Sequence, residues 1–165
     1  MAERIIVRNR YSMQRAVFSC ADKIKHAVIS ITDPHMSDVK FRPSTNLVGV
    51  CKLKFYDIET PEFRYGKLVF PMDKTQAEEV VEFVNIVWNR IDTLFVHCEA
   101  GISRSSGTSA AISLVKFGHD DEFFASYRYS PNINCYRMVL EAFGYPVVNE
   151  EIEKIKPSIL ENIRS

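Results

Sequence analysis

The stretch Leu94-Phe95-Val96-His97-Cys98-Glu99-Ala100-Gly101-Ile102-Ser103-Arg104-Ser105-Ser106 decides how this chain is read. Its apolar opening, Leu94-Phe95-Val96, reads as a short buried strand. The run from Ser105 to Phe117 that follows is compatible with a helix closed by Gly118. Between strand and helix, Cys98 and Arg104 stand at the two ends of a short loop, Glu99 to Ser103. The pattern is a strand, a tight turn and a helix N-terminus. Gly101 suits the turn because glycine tolerates positive φ.

Such a loop attracts anions. The helix directs its positive dipole end and unpaired N–H groups at the loop. Successive N–H groups of residues 99–104 curl into a nest that prefers an anion. Arg104 adds a fixed cation with a planar fork of donors. A free cysteine, with a pKa of about 8.5, is mostly an inert thiol at neutral pH, and these three effects favour the thiolate of Cys98. The same features hold a phosphate dianion beside the sulfur. Cys98 is therefore the candidate nucleophile of a phosphate-ester hydrolysis through a cysteinyl-phosphate. Glu99, Ala100, Gly101, Ile102, Ser103 and Arg104 form the candidate phosphate-binding set. His97 is a candidate support that donates to loop carbonyls, and Ser105 a candidate donor to the departing sulfur. The competing reading of Cys98 is a buried structural thiol, the usual fate of a lone cysteine. The agreement of His97, Gly101, Arg104 and Ser105 with one strand–turn–helix favours the catalytic reading.

The motif from His97 to Ser105, HCx5R followed by Ser, resembles that of the cysteine-dependent protein tyrosine phosphatases, and most of all their dual-specificity branch. The resemblance implies an α/β fold with a mainly parallel central sheet flanked by helices. It also implies hydrolysis of phosphotyrosine, with phosphoserine and phosphothreonine open as well. Phosphoinositide phosphatases of this superfamily usually carry lysines in the loop, and here Glu99, Ala100, Ile102 and Ser103 include none. Arg128-Tyr129-Ser130-Pro131-Asn132 is similar to an Arg-x-Ser-Pro-Asn element of many dual-specificity phosphatases, which implies that Asn132 braces the phosphate loop. The same residues also suit a plain turn. The resemblance covers roughly residues 25–145. The Trp-Pro-Asp loop of the larger tyrosine-specific enzymes is missing, since the one tryptophan is Trp88 in a helical run. Asn9-Arg10-Tyr11 is similar to part of their phosphotyrosine loop and is read as coincidence.

Expelling an alkoxide needs a proton donor, and the later attack of water needs a base. Asp57 is the candidate for both. It closes the alternating run Leu53-Lys54-Phe55-Tyr56 and opens a polar loop, and strand-end loops carry function. The family's usual spacing falls between Asp57 and Asp73. Asp73 reads instead as a helix N-cap, with Gln76 completing a capping box. Residues 60–71 are then an insertion between acid loop and helix. Glu59 and Asp33 are weaker candidates for the acid, although Asp33 also follows a strand and shares the rim.

Length and composition set the frame. A chain of 165 residues reads as a single domain, 46% hydrophobic and 25% charged, which is ordinary for a globular protein. Its net charge of zero offers no electrostatic case for nucleic acid or an anionic membrane. No apolar run approaches the ~18 residues of a membrane span, and the charged N-terminus does not read as a secretion signal. The four cysteines, at positions 20, 51, 98 and 135, have no metal-ligand or CxxC spacing, which fits a cytoplasmic, reducing location. Cys20, Cys51 and Cys135 read as structural. No metal and no cofactor is called for. The expected partner is a phosphorylated protein or peptide, and oligomeric state is left open.

Elsewhere the pattern predicts strands at residues 5–7, 27–32 and 47–55, alternating with helices. Helices are predicted over residues 12–19 with Ser12 as N-cap, 74–90, 121–129 and 134–143. A charged C-terminal helix is predicted within residues 149–165. Three other functions share the loop chemistry. They are a catalytically weak phosphopeptide-binding module, a phosphatase of RNA 5′-phosphates or small phosphate esters, and a sulfur-transfer enzyme. The intact Cys98 and Arg104 speak against the first, neutral charge against RNA, and the His-Cys and Arg-Ser flanks against sulfur transfer.

Overall fold

A computed structural model of the chain describes residues 1–20 and 23–147. The strand that carries the cysteine, β6 (Thr93–Cys98), is buried along its whole length. It lies between β1 (Arg4–Asn9) and β2 (His26–Thr32), and β3 (Leu47–Lys54) forms the far edge. The order is β1-β6-β2-β3 and every pair is parallel. Parallel sheets bury both faces, which is why β2 and β6 read as continuous apolar runs.

Period-two alternation still divides the two faces. Ile5 and Val7, Ala27, Ile29 and Ile31, and Leu94, Val96 and Cys98 join the larger core with the helices α2 (Lys74–Val87), α3 (Arg104–Phe117) and α5 (Ile133–Ala142). Ile6, Val28 and Phe95 turn the other way, onto Met13 of α1 (Arg10–Cys20) and onto Phe41. The α2 stripe is buried at Ala77, Val80, Val84 and Val87 and continues through Trp88 and Ile91, with Val81 only half-buried. Asp73 and Gln76 cap α2 reciprocally, as their spacing predicts. The mainly parallel α/β sheet flanked by helices is the fold class the sequence implies.

Three local expectations need correction. Asn9, not Ser12, caps α1: its Oδ1 accepts the Ser12 N–H at 2.7 Å, so the helix starts earlier. The predicted helix 121–129 is a single turn, α4 (Asp121–Phe124), after which the chain runs irregularly to Asn132. The insertion before α2 is not a plain polar loop but an antiparallel ribbon of β4 (Glu62–Arg64) and β5 (Lys67–Val69). The predicted C-terminal helix lies outside the described residues. No helix among the described residues is long and apolar enough to cross a membrane.

Candidate active site

In open parallel sheets ligand sites form beyond the carboxyl ends of the strands. Cys98 ends the central strand, and its thiol is buried at the mouth of the loop. Among the described residues, two groups hydrogen-bond with the sulfur: Ser105 Oγ at 3.0 Å and the Gly101 N–H, which donates at 3.2 Å. Gly101 has φ 69°, and a Cβ there would meet Asn9 N at 2.7 Å and Arg8 C at 2.8 Å. Both conformation and the close approach of β1 therefore demand glycine at this point.

Arg104 opens α3 and is only 4% exposed. Its Nη1 donates to Phe55 O at 2.8 Å and pairs with Asp33 Oδ1 at 2.8 Å. Its Nε is buried without a hydrogen-bond partner among the described residues. A buried, unpartnered guanidinium N–H is costly unless a ligand completes it. The α3 N-terminus adds to this. Ser103 stands at its N-cap position but makes no side-chain cap, because its Oγ donates to Asp57 Oδ1 at 2.8 Å. The opening amides of α3 are thus not consumed by a side chain.

Asp57 is exposed at the end of the turn that follows β3. Its Oδ1 also accepts from Asn132 Nδ2 at 3.0 Å. Asn132 is buried and makes several further bonds. Its Nδ2 reaches Ile58 O, its Oδ1 accepts the Cys135 N–H as the cap of α5, and its own N–H donates to Ser103 O at 3.0 Å. One residue earlier but one, Ser130 N–H donates to Ile102 O at 3.0 Å. The irregular segment before α5 therefore ties the loop of residues 99–103 to the Asp57 loop. Gly107 permits this contact: a Cβ there would lie 2.4 Å from Asn132 O.

His97 sits on the sheet face opposite Cys98, fully buried. Its Nε2 is 2.6 Å from Ser30 Oγ and its Nδ1 is 3.3 Å from Cys98 O. A carbonyl only accepts, so Nδ1 carries the proton and Nε2 accepts from the Ser30 hydroxyl. Burial holds the imidazole below its usual range, at about 4. Glu99 turns outward, where Arg10 Nη1 meets its Oε1 at 3.2 Å and the Asp33 N–H donates to the same oxygen at 3.4 Å. Ala100 and Ile102 are exposed on the loop rim.

Asp73 is committed to its capping box at the start of α2, and Glu59 accepts from the Ile133 N–H at 3.4 Å. Burial pushes the Cys51 thiol up to about 11, and burial followed by the Asp57 carboxylate pushes the Cys135 thiol up as well. Sequence reasoning missed two contributors, Arg10 and Gly107, and weighed Asp33 only as a candidate acid on the rim. Arg10, set aside with Asn9 and Tyr11 as coincidence, supports Glu99. Asp33 is the ion-pair partner of Arg104. Gly107 lies within the run predicted as helix, and a glycine inside a helix is itself a signal of close packing.

No protein-family model matches the sequence, and no curated protein matches it. The likeness is in three dimensions. The human tyrosine phosphatase-like serine/threonine/tyrosine-interacting protein superposes with a TM-score of 0.56 at 16% identity, over 85% of this chain and 91% of that one. PTPMT1, in a crystal structure with PI(5)P, superposes with a TM-score of 0.52 at 15% identity, over 91% and 92%. The fold is that of the dual-specificity and tyrosine phosphatases.

Proposed function

We propose that this chain is a phosphoprotein phosphatase that hydrolyses phosphotyrosine, and phosphoserine or phosphothreonine as well, through a cysteinyl-phosphate. The observation that carries the reading is the shared position of Cys98 and Arg104. A thiol contacted by a hydroxyl and an N–H stands at one end of the loop, and a buried guanidinium with an uncompleted Nε at the other. Cys98 Sγ attacks phosphorus and the ester oxygen leaves. Arg104 and the loop amides hold the equatorial oxygens, where preorganised donors contribute most of the stabilisation of the transition state. Asp57, held by Ser103 and Asn132, gives its proton to the leaving oxygen and later takes one from the attacking water. Ser105 donates to the sulfur as the phospho-enzyme breaks down. The loop presents Glu99 and no lysine, which favours a phosphoprotein over a polyphosphorylated headgroup, and a reducing cytoplasmic setting keeps the thiol competent.

The test is hydrolysis of p-nitrophenyl phosphate in the presence of EDTA by the wild type and by Cys98→Ser. Turnover that disappears in Cys98→Ser supports the cysteinyl-phosphate. A wild type that binds phosphopeptide tightly but turns nothing over makes the loop a reader of phosphorylated residues and overturns the catalytic reading.

A further inference from the structure

Between Asp57 and α2 the chain leaves the sheet and returns as the β4–β5 ribbon. Phe63 stands opposite Leu68 and Glu62 opposite Val69. Neighbouring strand residues point to opposite faces, so Phe63 and Leu68 share one face and Val69 lies on the other. Val69 is buried in the body of the protein, whereas Phe63 is 78% exposed, Leu68 45% and Phe70 56%. At the tip, Tyr65 and Gly66 both take positive φ and Tyr65 is almost wholly in water. A ribbon this short gains little from its own ladder, and a cluster of large apolar groups left in solvent marks an interaction site.

The cluster adjoins the segment that carries Asp57. The Tyr56 N–H donates to Phe70 O at 3.4 Å, which fastens the ribbon beside Asp57. Leu68, Phe70 and Pro71 form, with Pro34, Phe55 and Tyr56, an open cleft of about 290 Å³. Its inner wall is continuous with the catalytic set: the Phe55 carbonyl holds Arg104, and Pro34 follows the Asp33 that pairs with it. Of the two lysines on the rim, Lys54 is committed to Thr32, Met36 and Asp38, while Lys67 stands in water beside Leu68.

We propose that this cleft is a subsite for polypeptide flanking the phosphorylated residue, and that it takes a large apolar side chain of a phosphoprotein substrate. The proposal rests on the phosphatase reading above and narrows its substrate class. A chain whose phosphate is held by Arg104 passes the ribbon on leaving the loop, and Leu68 and Phe70 meet it there.

The experiment uses phosphotyrosine peptides in an alanine background, with phenylalanine placed in turn at each flanking position, and p-nitrophenyl phosphate as the small reference substrate. For the wild type, kcat/KM for the best phenylalanine peptide exceeds that of the alanine parent about ten-fold, the discrimination one well-placed apolar group gives. Leu68→Ser/Phe70→Ser abolishes that preference and leaves p-nitrophenyl phosphate within about two-fold of wild type, since no reacting group is touched. Equilibrium binding of the same fluorescein-labelled peptides to Cys98→Ser, with and without the ribbon substitutions, shows the same preference and the same loss. Equal binding of all peptides, or a preference that survives in the double variant, overturns the proposal. So does a double variant whose one effect is to convert a dimer to a monomer in sedimentation velocity, which gives the face to a second copy of this chain. A wild type inert toward p-nitrophenyl phosphate overturns the phosphatase reading instead, and the binding series still decides the subsite.

Discussion

Asp33 Oδ1 lies 2.8 Å from Arg104 Nη1, joining a carboxylate just beyond β2 to the arginine that opens α3. The pair is partly shielded, and the same Nη1 is held by the Phe55 carbonyl. The arginine's orientation is thereby fixed at Nη1, and its Nε edge is left for an incoming group.

Asp33→Asn removes the charge but keeps an oxygen. KM for p-nitrophenyl phosphate is expected to rise about ten-fold, the equivalent of about 1.4 kcal/mol, with a smaller change in kcat. The alkaline limb of the kcat–pH profile, which reports loss of the proton donor, is expected to persist. An unchanged KM together with loss of that limb would make Asp33 the acid rather than the positioning partner of Arg104.

Asp57→Asn is expected to lower kcat for phosphotyrosine by on the order of 100-fold or more, the usual contribution of a positioned acid. Asn132→Ala, which removes one of the two bonds to Oδ1, is expected to lower kcat roughly ten-fold with little effect on KM. Asp73→Ala provides the contrast: it weakens α2 by about 1 kcal/mol through loss of the cap and leaves kcat alone. Near-normal kcat in Asp57→Asn, with a collapse in Asp73→Ala, would reverse the assignment.

Gly107→Ala places a methyl against the Asn132 carbonyl. Neighbouring backbone cannot yield cheaply, so α3 and the segment before α5 must separate, at a cost of roughly 1–3 kcal/mol in stability. Urea unfolding and phosphotyrosine hydrolysis, measured side by side, should both suffer, because the same segment holds Ile102, Ser103 and Asp57. Wild-type values in both measurements would show that the brace is unimportant.

His97 links stability to pH. In the unfolded chain its imidazole takes up a proton near pH 6.5, but in the fold burial delays this to about 4. Across that window the unfolded state binds more protons, so stability is fully present above about 6.5 and is lost as pH falls toward about 4. The total is on the order of 3 kcal/mol. Urea midpoints between pH 7 and 4 should fall less steeply for His97→Asn than for wild type. Parallel curves would place the acid sensitivity elsewhere.

Legibility in the sequence followed the range of the interaction. The strand–turn–helix around Cys98, the α2 stripe and the Asp73–Gln76 cap all rest on neighbours a few residues apart, and each stood in the local pattern. The pairing of Asp33 with Arg104, of Arg10 with Glu99 and of Asp57 with Asn132 joins distant parts of the chain, and no periodicity encodes such meetings. Asn9 and Ser12 are both good N-caps, and the choice between them was made by the end of β1, which runs directly into the helix. The β4–β5 ribbon escaped because three residues per strand are too few to display alternation, and Tyr65-Gly66 is not a strong turn pair.

The bonds from Ser103 and Asn132 to the Asp57 carboxylate have a kinetic consequence. They make the floor of the pocket and the wall bearing the acid one mechanical piece. In the proposed mechanism, an acid held on such a frame would not wait for a flap to swing shut over the phosphate. The tempo of the reaction would then be set by bond breaking and by escape of the leaving group, and thickening the solvent with a viscogen would slow the second of these but not the first.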